Sequence, residues 1–146
     1  NFFHMIVSFF LFLFILVPFG RIVFPRILLI VPALIWLLIL TVGISLFFSS
    51  LNVRFRDINF FVQTLILLWF YATPVLYNLS LIPPSLHLLF SLNPLTSIFE
   101  ILHFSILGQG TIEGQILFIN LMITLLVFVV GITLFKKENK FFVDWL

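Results

Sequence analysis

Apolar residues in this chain come in long runs separated by short clusters of Pro, Gly and charge, with no strand-like alternation. Four runs reach the roughly 20 residues that a helix needs to cross a bilayer. The first covers 2–19, is uncharged, and ends at Pro18 and Gly20. The second covers 27–51, follows Pro25 and Arg26, and carries Pro32 in its opening turns. The third covers 58–77 with Pro74 near its far end, and the fourth covers 115–135, stopped by Lys136, Lys137, Glu138 and Lys140. This pattern predicts an all-α membrane protein with four transmembrane helices in one domain, 1–146.

The stretch 78–114 breaks the pattern. Residues 78–84 read as a turn, with Pro83-Pro84 able to start a helix; 86–92 is a short apolar segment; Asn93-Pro94 interrupts it; 95–107 resumes before Gly108 and Gly110. Neither half is long enough to span. The expectation is a pair of short re-entrant helices that dip in from the outer side and return, because broken backbone and a carboxylate are tolerated at membrane depth only where protein or water shields them. One full crossing instead would make five spans and move the basic tail to the other face.

Orientation follows from Lys and Arg placement. With four spans, Arg54, Arg56, Lys136, Lys137 and Lys140 share one side and Arg21 and Arg26 the other. Five against two puts both chain ends and the 51–57 loop in the cytoplasm.

Composition agrees. The chain is 63% hydrophobic and 8% charged, with mean hydropathy +1.34. So much apolar surface cannot be hidden in one core of 146 residues, so lipid must be the solvent. The few basic residues are scattered and form no nucleic-acid footprint. Without cysteine there is no disulfide, thiolate metal site or thiol nucleophile. Asn1 already lies inside an apolar run, without the basic n-region of a signal peptide. We therefore expect a fragment whose front portion is missing.

Glu100 and His103 stand at i, i+3 and share a helix face. A di-iron site needs two Glu-x-x-His elements and further carboxylates, so no metal is expected. A polar face turned to protein or to a watery vestibule fits better, either touching cargo or pinning the re-entrant pair. His87 suits the membrane–water interface, and His4 a helix–helix hydrogen bond. Asp57 suits the N-cap of the third span, and Arg54 and Arg56 anchor topology, with contact to a soluble partner as the sharper alternative. Trp69, Phe70, Tyr71 and Tyr77 around Pro74 make an interfacial belt or the wall of a conduit. Thr73 is placed to satisfy a carbonyl freed by Pro74.

Enzyme chemistry has no footing. There is no HExxH, the only aspartates are Asp57 and Asp144 at span borders, and Gly43-Ile44-Ser45 is followed by Leu46 where a nucleophile elbow needs Gly. No Walker loop is present, so ATP would be bound by a separate subunit and no cofactor is expected here.

The ordered set Asn52-Val53-Arg54-Phe55-Arg56-Asp57, Thr73-Pro74-Val75 with Tyr77, Pro83, Leu92-Asn93-Pro94, Glu100 and Leu107-Gly108 resembles the permeases of type-2 ABC exporters, most of all the polysaccharide-export branch of O-antigen, teichoic acid and capsule permeases. The tail Phe135-Lys136-Lys137 through Phe141, Asp144 and Leu146 is similar to that family's closing basic-aromatic segment. The resemblance implies the C-terminal part of a six-helix permease, a homodimer in the bacterial plasma (inner) membrane that docks ABC ATPase subunits and moves a lipid-linked polysaccharide. It also implies that 78–114 is the gate region, so Glu100, His103, Asn93, Pro94, Pro74, Tyr71 and Tyr77 become the expected path, and Arg54, Arg56 and Asp57 the partner-facing loop. His103 stands where relatives often carry Arg, and Asn78 where Pro is common. Rival functions are drug or antibiotic efflux by the same superfamily, a membrane-embedded glycan-processing enzyme, and a structural assembly subunit without a conduit.

Overall fold

A computed structural model describes residues 24–55, 57–75, 77, 81–108 and 113–143, with the isolated positions Phe3, His4, Val7, Ser8, Leu11 and Phe14. The expected first span, 2–19, lies largely outside them, as do Arg56, Asn78 and Asp144. The described residues are helical and contain no strand. After a single turn, Phe24–Ile27, come α1 (Ile30–Arg54), α2 (Ile58–Tyr71), α3 (Pro84–Ser91), α4 (Pro94–Leu107) and α5 (Gly114–Val143).

Among the described residues two helices are long and apolar enough to cross a membrane: Ile30–Val53 within α1 and Gly114–Glu138 within α5. Both runs were legible in the sequence, with shifted ends. The helix of α5 continues through Lys136, Lys137 and Glu138, because positive charge near a helix C-terminus limits insertion in lipid but favours the helix itself. The run 58–77 gives a shorter helix than expected. α2 has 14 residues, about 21 Å at 1.5 Å per residue, and stops at Tyr71. Pro74 has no N–H to return to the Phe70 carbonyl, and its ring pushes Thr73 out of the helical region.

α1 and α5 form the main packing unit. Their inward faces repeat with a short period: Ile30, Ala33, Leu40, Gly43 and Ser50 on α1, and Asn120, Thr124, Gly131 and Glu138 on α5, are all buried. Such small-residue seams let helix backbones approach closely in lipid, where helices gain little from the hydrophobic effect. A Cβ added to Gly43 would stand 2.8 Å from the Phe128 Cα, and one added to Gly131 would meet the Gly43 carbonyl oxygen. Gly43 therefore has a packing reason, unrelated to any nucleophile motif.

Contacts advance together along this pair: Trp36 with Thr124, Gly43 with Phe128, Leu46 with Gly131. The two helices run parallel. Packed against both, α4 runs the other way. Its Leu95, Ile98, Ile101 and Leu102 pack on Ala33, Trp36, Leu37 and Leu40 of α1, and its C-terminal end reaches Arg26, whose guanidinium carbon lies 5.4 Å from the Phe104 ring centre. α3 and α4 meet at a bend of 92°. Large apolar side chains such as Phe60, Phe61, Leu88, Leu89, Phe118 and Leu126 are exposed, as expected of a surface wetted by lipid.

Candidate functional site at the broken helices

The local sequence explains the break at Asn93-Pro94. Pro94 is the first residue of α4, where its missing N–H costs nothing, and Asn93 is the N-cap, its Oδ1 accepting from the Leu95 N–H at 3.1 Å. The same oxygen accepts from the Trp69 indole N–H at 3.1 Å, and Asn93 Nδ2 donates to Thr73 Oγ1 at 2.9 Å. One side chain thus caps α4 and ties it to the end of α2.

That end of α2 has its carbonyls accounted for. Thr73 Oγ1 donates to the Trp69 carbonyl at 2.8 Å rather than to the Phe70 carbonyl that Pro74 frees, which instead accepts from the Thr73 backbone N–H at 3.3 Å. Tyr77 Oη donates to the Tyr71 carbonyl at 2.7 Å. Tyr71 is itself exposed, Tyr77 half-buried, and Thr73 and Pro74 are buried. So Pro74, Tyr77 and Asn93 belong to one polar joint, and Tyr71 joins it only through its backbone.

A second joint lies on the α5 side. Asn120 Nδ2 donates to the Ser91 carbonyl at 2.7 Å and to Ser97 Oγ at 2.5 Å, Thr124 Oγ1 donates to the Asn120 carbonyl at 2.8 Å, and the Trp36 indole N–H donates to Thr124 Oγ1 at 2.7 Å. None of Trp36, Ser91, Ser97, Asn120 or Thr124 was singled out in the sequence. The usable signal was the spacing of Asn120, Thr124 and Gly131, polar or small residues returning to one face of an otherwise apolar helix.

Glu100 and His103 are half-buried on α4, with no hydrogen bond or ion pair between them. With Thr96 they follow at i, i+4 and i+7, on the face turned away from the Leu95–Ile98–Leu102 stripe that packs on α1. Thr96 is buried with its hydroxyl unpartnered. The hydrogen bonds that pin the bent pair come from Asn93, Asn120 and Ser97, and among the described residues none comes from the two titratable residues of α4. Among the described residues no group of three His, Cys, Asp or Glu is arranged to hold a metal ion.

Two sequence expectations change. Asp57 stands at the N-cap position of α2 but makes no side-chain cap bond; it is exposed, and only its carbonyl serves the first turn. Arg54 ends α1, whereas Arg56 lies outside the described residues. His4 is exposed with its ring edge-on to Phe3 at 5.9 Å, and His87 is half-buried in α3.

Long apolar helices with a broken, polar-jointed pair between them define a multi-pass membrane protein, and comparison with known proteins gives its family. The ABC-2 type transporter family model matches residues 1–107, and the chain belongs to that family. It is 36% identical over 107 residues to the O-antigen export system permease protein RfbA of Klebsiella pneumoniae, covering 73% of this chain and 40% of that protein. A second Klebsiella pneumoniae protein of the same name is 33% identical over 124 residues, covering 77% of this chain and 47% of its own length. RfbA of Myxococcus xanthus is 42% identical over 60 residues, covering 40% of this chain and 23% of that protein. The chain spans less than half the length of these relatives.

Proposed function

We propose that the chain is the C-terminal membrane portion of a permease subunit in an ATP-driven exporter of a lipid-linked polysaccharide. It works as a homodimer with ABC ATPase subunits that bind the ATP, and it makes no covalent bond itself. The O-antigen export named for its relatives supports this cargo class over drug or antibiotic efflux. The observation that carries the proposal is the bent α3–α4 pair with its unbonded polar face Thr96, Glu100 and His103. Intramembrane polar groups that do not hold the fold together are best used on a transport path.

Topology supports the same reading. Parallel helices start on one membrane face and end on the other, so the chain between α1 and α5 must return across an odd number of times. If α2 crosses, the bent pair does not, which favours four spans over five. α2 leaves the far end of α1, and its own end is bonded to the break through Trp69 and Thr73, which favours α2 as the returning span. Asn120, level with the break, is six residues into α5, about 9 Å from its start, while 18 residues, about 27 Å, separate it from Glu138. A hairpin that shallow turns back to the side it entered. The parallel packing also brings the Arg54 end of α1 to the side of Lys136 and Lys137, which supports a cytoplasmic side there in a bacterial plasma membrane.

In this account the re-entrant pair is the outer gate, moved when ATP closes the partner subunits. Glu100, His103, Asn93, Pro94, Pro74, Tyr71 and Tyr77 border the path, and Arg54, Arg56 and Asp57 face the ATPase. Deleting the full-length gene and restoring it tests the function. Loss and recovery of surface glycan, with co-purification of an ATPase, is the expected result. Unchanged glycan with altered drug tolerance favours efflux; an ATPase whose hydrolysis ignores this chain favours an assembly subunit.

A further inference from the structure

The break between α3 and α4 is bonded on two sides, and the two joints differ in kind. Asn93 uses both ends of its amide: Oδ1 accepts from Trp69 and Leu95, and Nδ2 donates to Thr73. Asn120 uses one end only. Its two N–H groups go to the last residue of α3, at the Ser91 carbonyl, and to the first turn of α4, at Ser97 Oγ, so one amide straddles the bend. Its Oδ1 has no partner although the residue is fully buried. Flipping the amide does not help, since the Ser91 carbonyl only accepts. With its acceptor idle, this buried amide commits only its donors to the bend, two bonds against the three that Asn93 makes.

We infer that Asn120 is a releasable catch that holds the bent pair against α5 in this state and lets go when the pair moves, while the Asn93 joint, bonded at both ends of its amide, keeps the break attached to α2. This rests on the reading of the pair as a gate. A bistable element needs one joint that survives the transition and one that does not, and the two asparagines divide in that way. The Thr124 hydroxyl and the Trp36 indole behind it bond the Asn120 carbonyl side of the helix, so α5 stays fixed to α1 when the catch opens.

The test uses the full-length permease with its ATPase in lipid vesicles, spin-labelled at Leu89→Cys on α3 and Phe118→Cys on α5. Both positions are exposed, and the chain brings no cysteine of its own. The unsubstituted pair should give one distance without nucleotide and a second, longer one with ATP. Asn120→Leu should show the longer distance without nucleotide, in at least the fraction that ATP produces otherwise. Ser97→Ala, which removes one bond of two and little volume, should give an intermediate fraction and serves if the leucine variant does not fold. Nucleotide-free distances unchanged in the variants, or a single distance with and without ATP in the unsubstituted protein, overturn the catch. Unshifted distances in a protein on which surface glycan still depends remove the catch alone. Shifted distances in a protein on which no glycan depends keep it and remove the exporter reading.

Discussion

Asn93→Ala removes three hydrogen bonds at once, and the surroundings of each decide what its loss costs. Loss of the N-cap acceptor strands the Leu95 N–H, which costs about 1 kcal/mol. The Trp69 indole N–H, half-buried, loses its Asn93 acceptor, at about 1–3 kcal/mol for an unsatisfied donor. Thr73 loses an incoming bond but keeps its own to the Trp69 carbonyl, so its share is small. The sum is about 2–4 kcal/mol. Asn93→Ser retains a capping oxygen but cannot reach Trp69 and Thr73, so it should recover about 1 kcal/mol of that loss. Thermal unfolding of the purified full-length permease in detergent gives the order, unsubstituted above Ser above Ala. Trp69→Phe removes the donor that Asn93→Ala leaves bare, so the double variant should be more stable than the two single effects add up to, by about 1 kcal/mol. Additive effects, or a serine variant no better than alanine, would refute the joint.

Other outcomes follow from the same geometry. Gly131→Ala should lower the unfolding midpoint, by about 1–3 kcal/mol of stability for an overpacked contact, because the new methyl meets the Gly43 carbonyl on a backbone that cannot step aside; an unchanged midpoint contradicts the close α1–α5 approach. Glu100→Ala should abolish or strongly reduce surface glycan while leaving membrane insertion and self-association intact, since no hydrogen bond depends on it; normal glycan removes Glu100 from the path. Trp36→Phe should cost about 0.5–1.5 kcal/mol by deleting the bond to Thr124, read in the same unfolding assay, and no change there would mean that α1 and α5 do not depend on it.

Much of the fold was legible because hydropathy in a membrane protein is read over about 20 residues and tolerates local error. α1 and α5 appeared where uncharged runs stood, with ends moved by a few residues except at the end of α5, which runs on through the lysines to Val143. The end of α2 was misjudged because a run of apolar residues continues past Pro74, although the proline had already closed the helix at Tyr71. The break at Asn93-Pro94 was legible from its own chemistry, since proline at a first helical position with asparagine before it is a helix start. Its fastening was not. Asn120 meets Ser97 across 23 positions and Trp36 meets Thr124 across 88, and nothing in a local pattern names a partner so distant. Asp57 shows the opposite failure: the residue type and position were right for a cap, but the side chain points elsewhere.

The claim on which the rest depends is that α2 carries the chain back across the membrane and the bent pair returns to the face it came from. Single cysteines at Ser85, Glu113 and Asn52, all exposed positions, decide it by labelling with a membrane-impermeant thiol reagent in intact cells. Ser85→Cys and Glu113→Cys should label from outside, and Asn52→Cys only after permeabilisation. Ser85→Cys protected together with Asn52→Cys, while Glu113→Cys labels, would show that the pair crosses and that the gate does not exist.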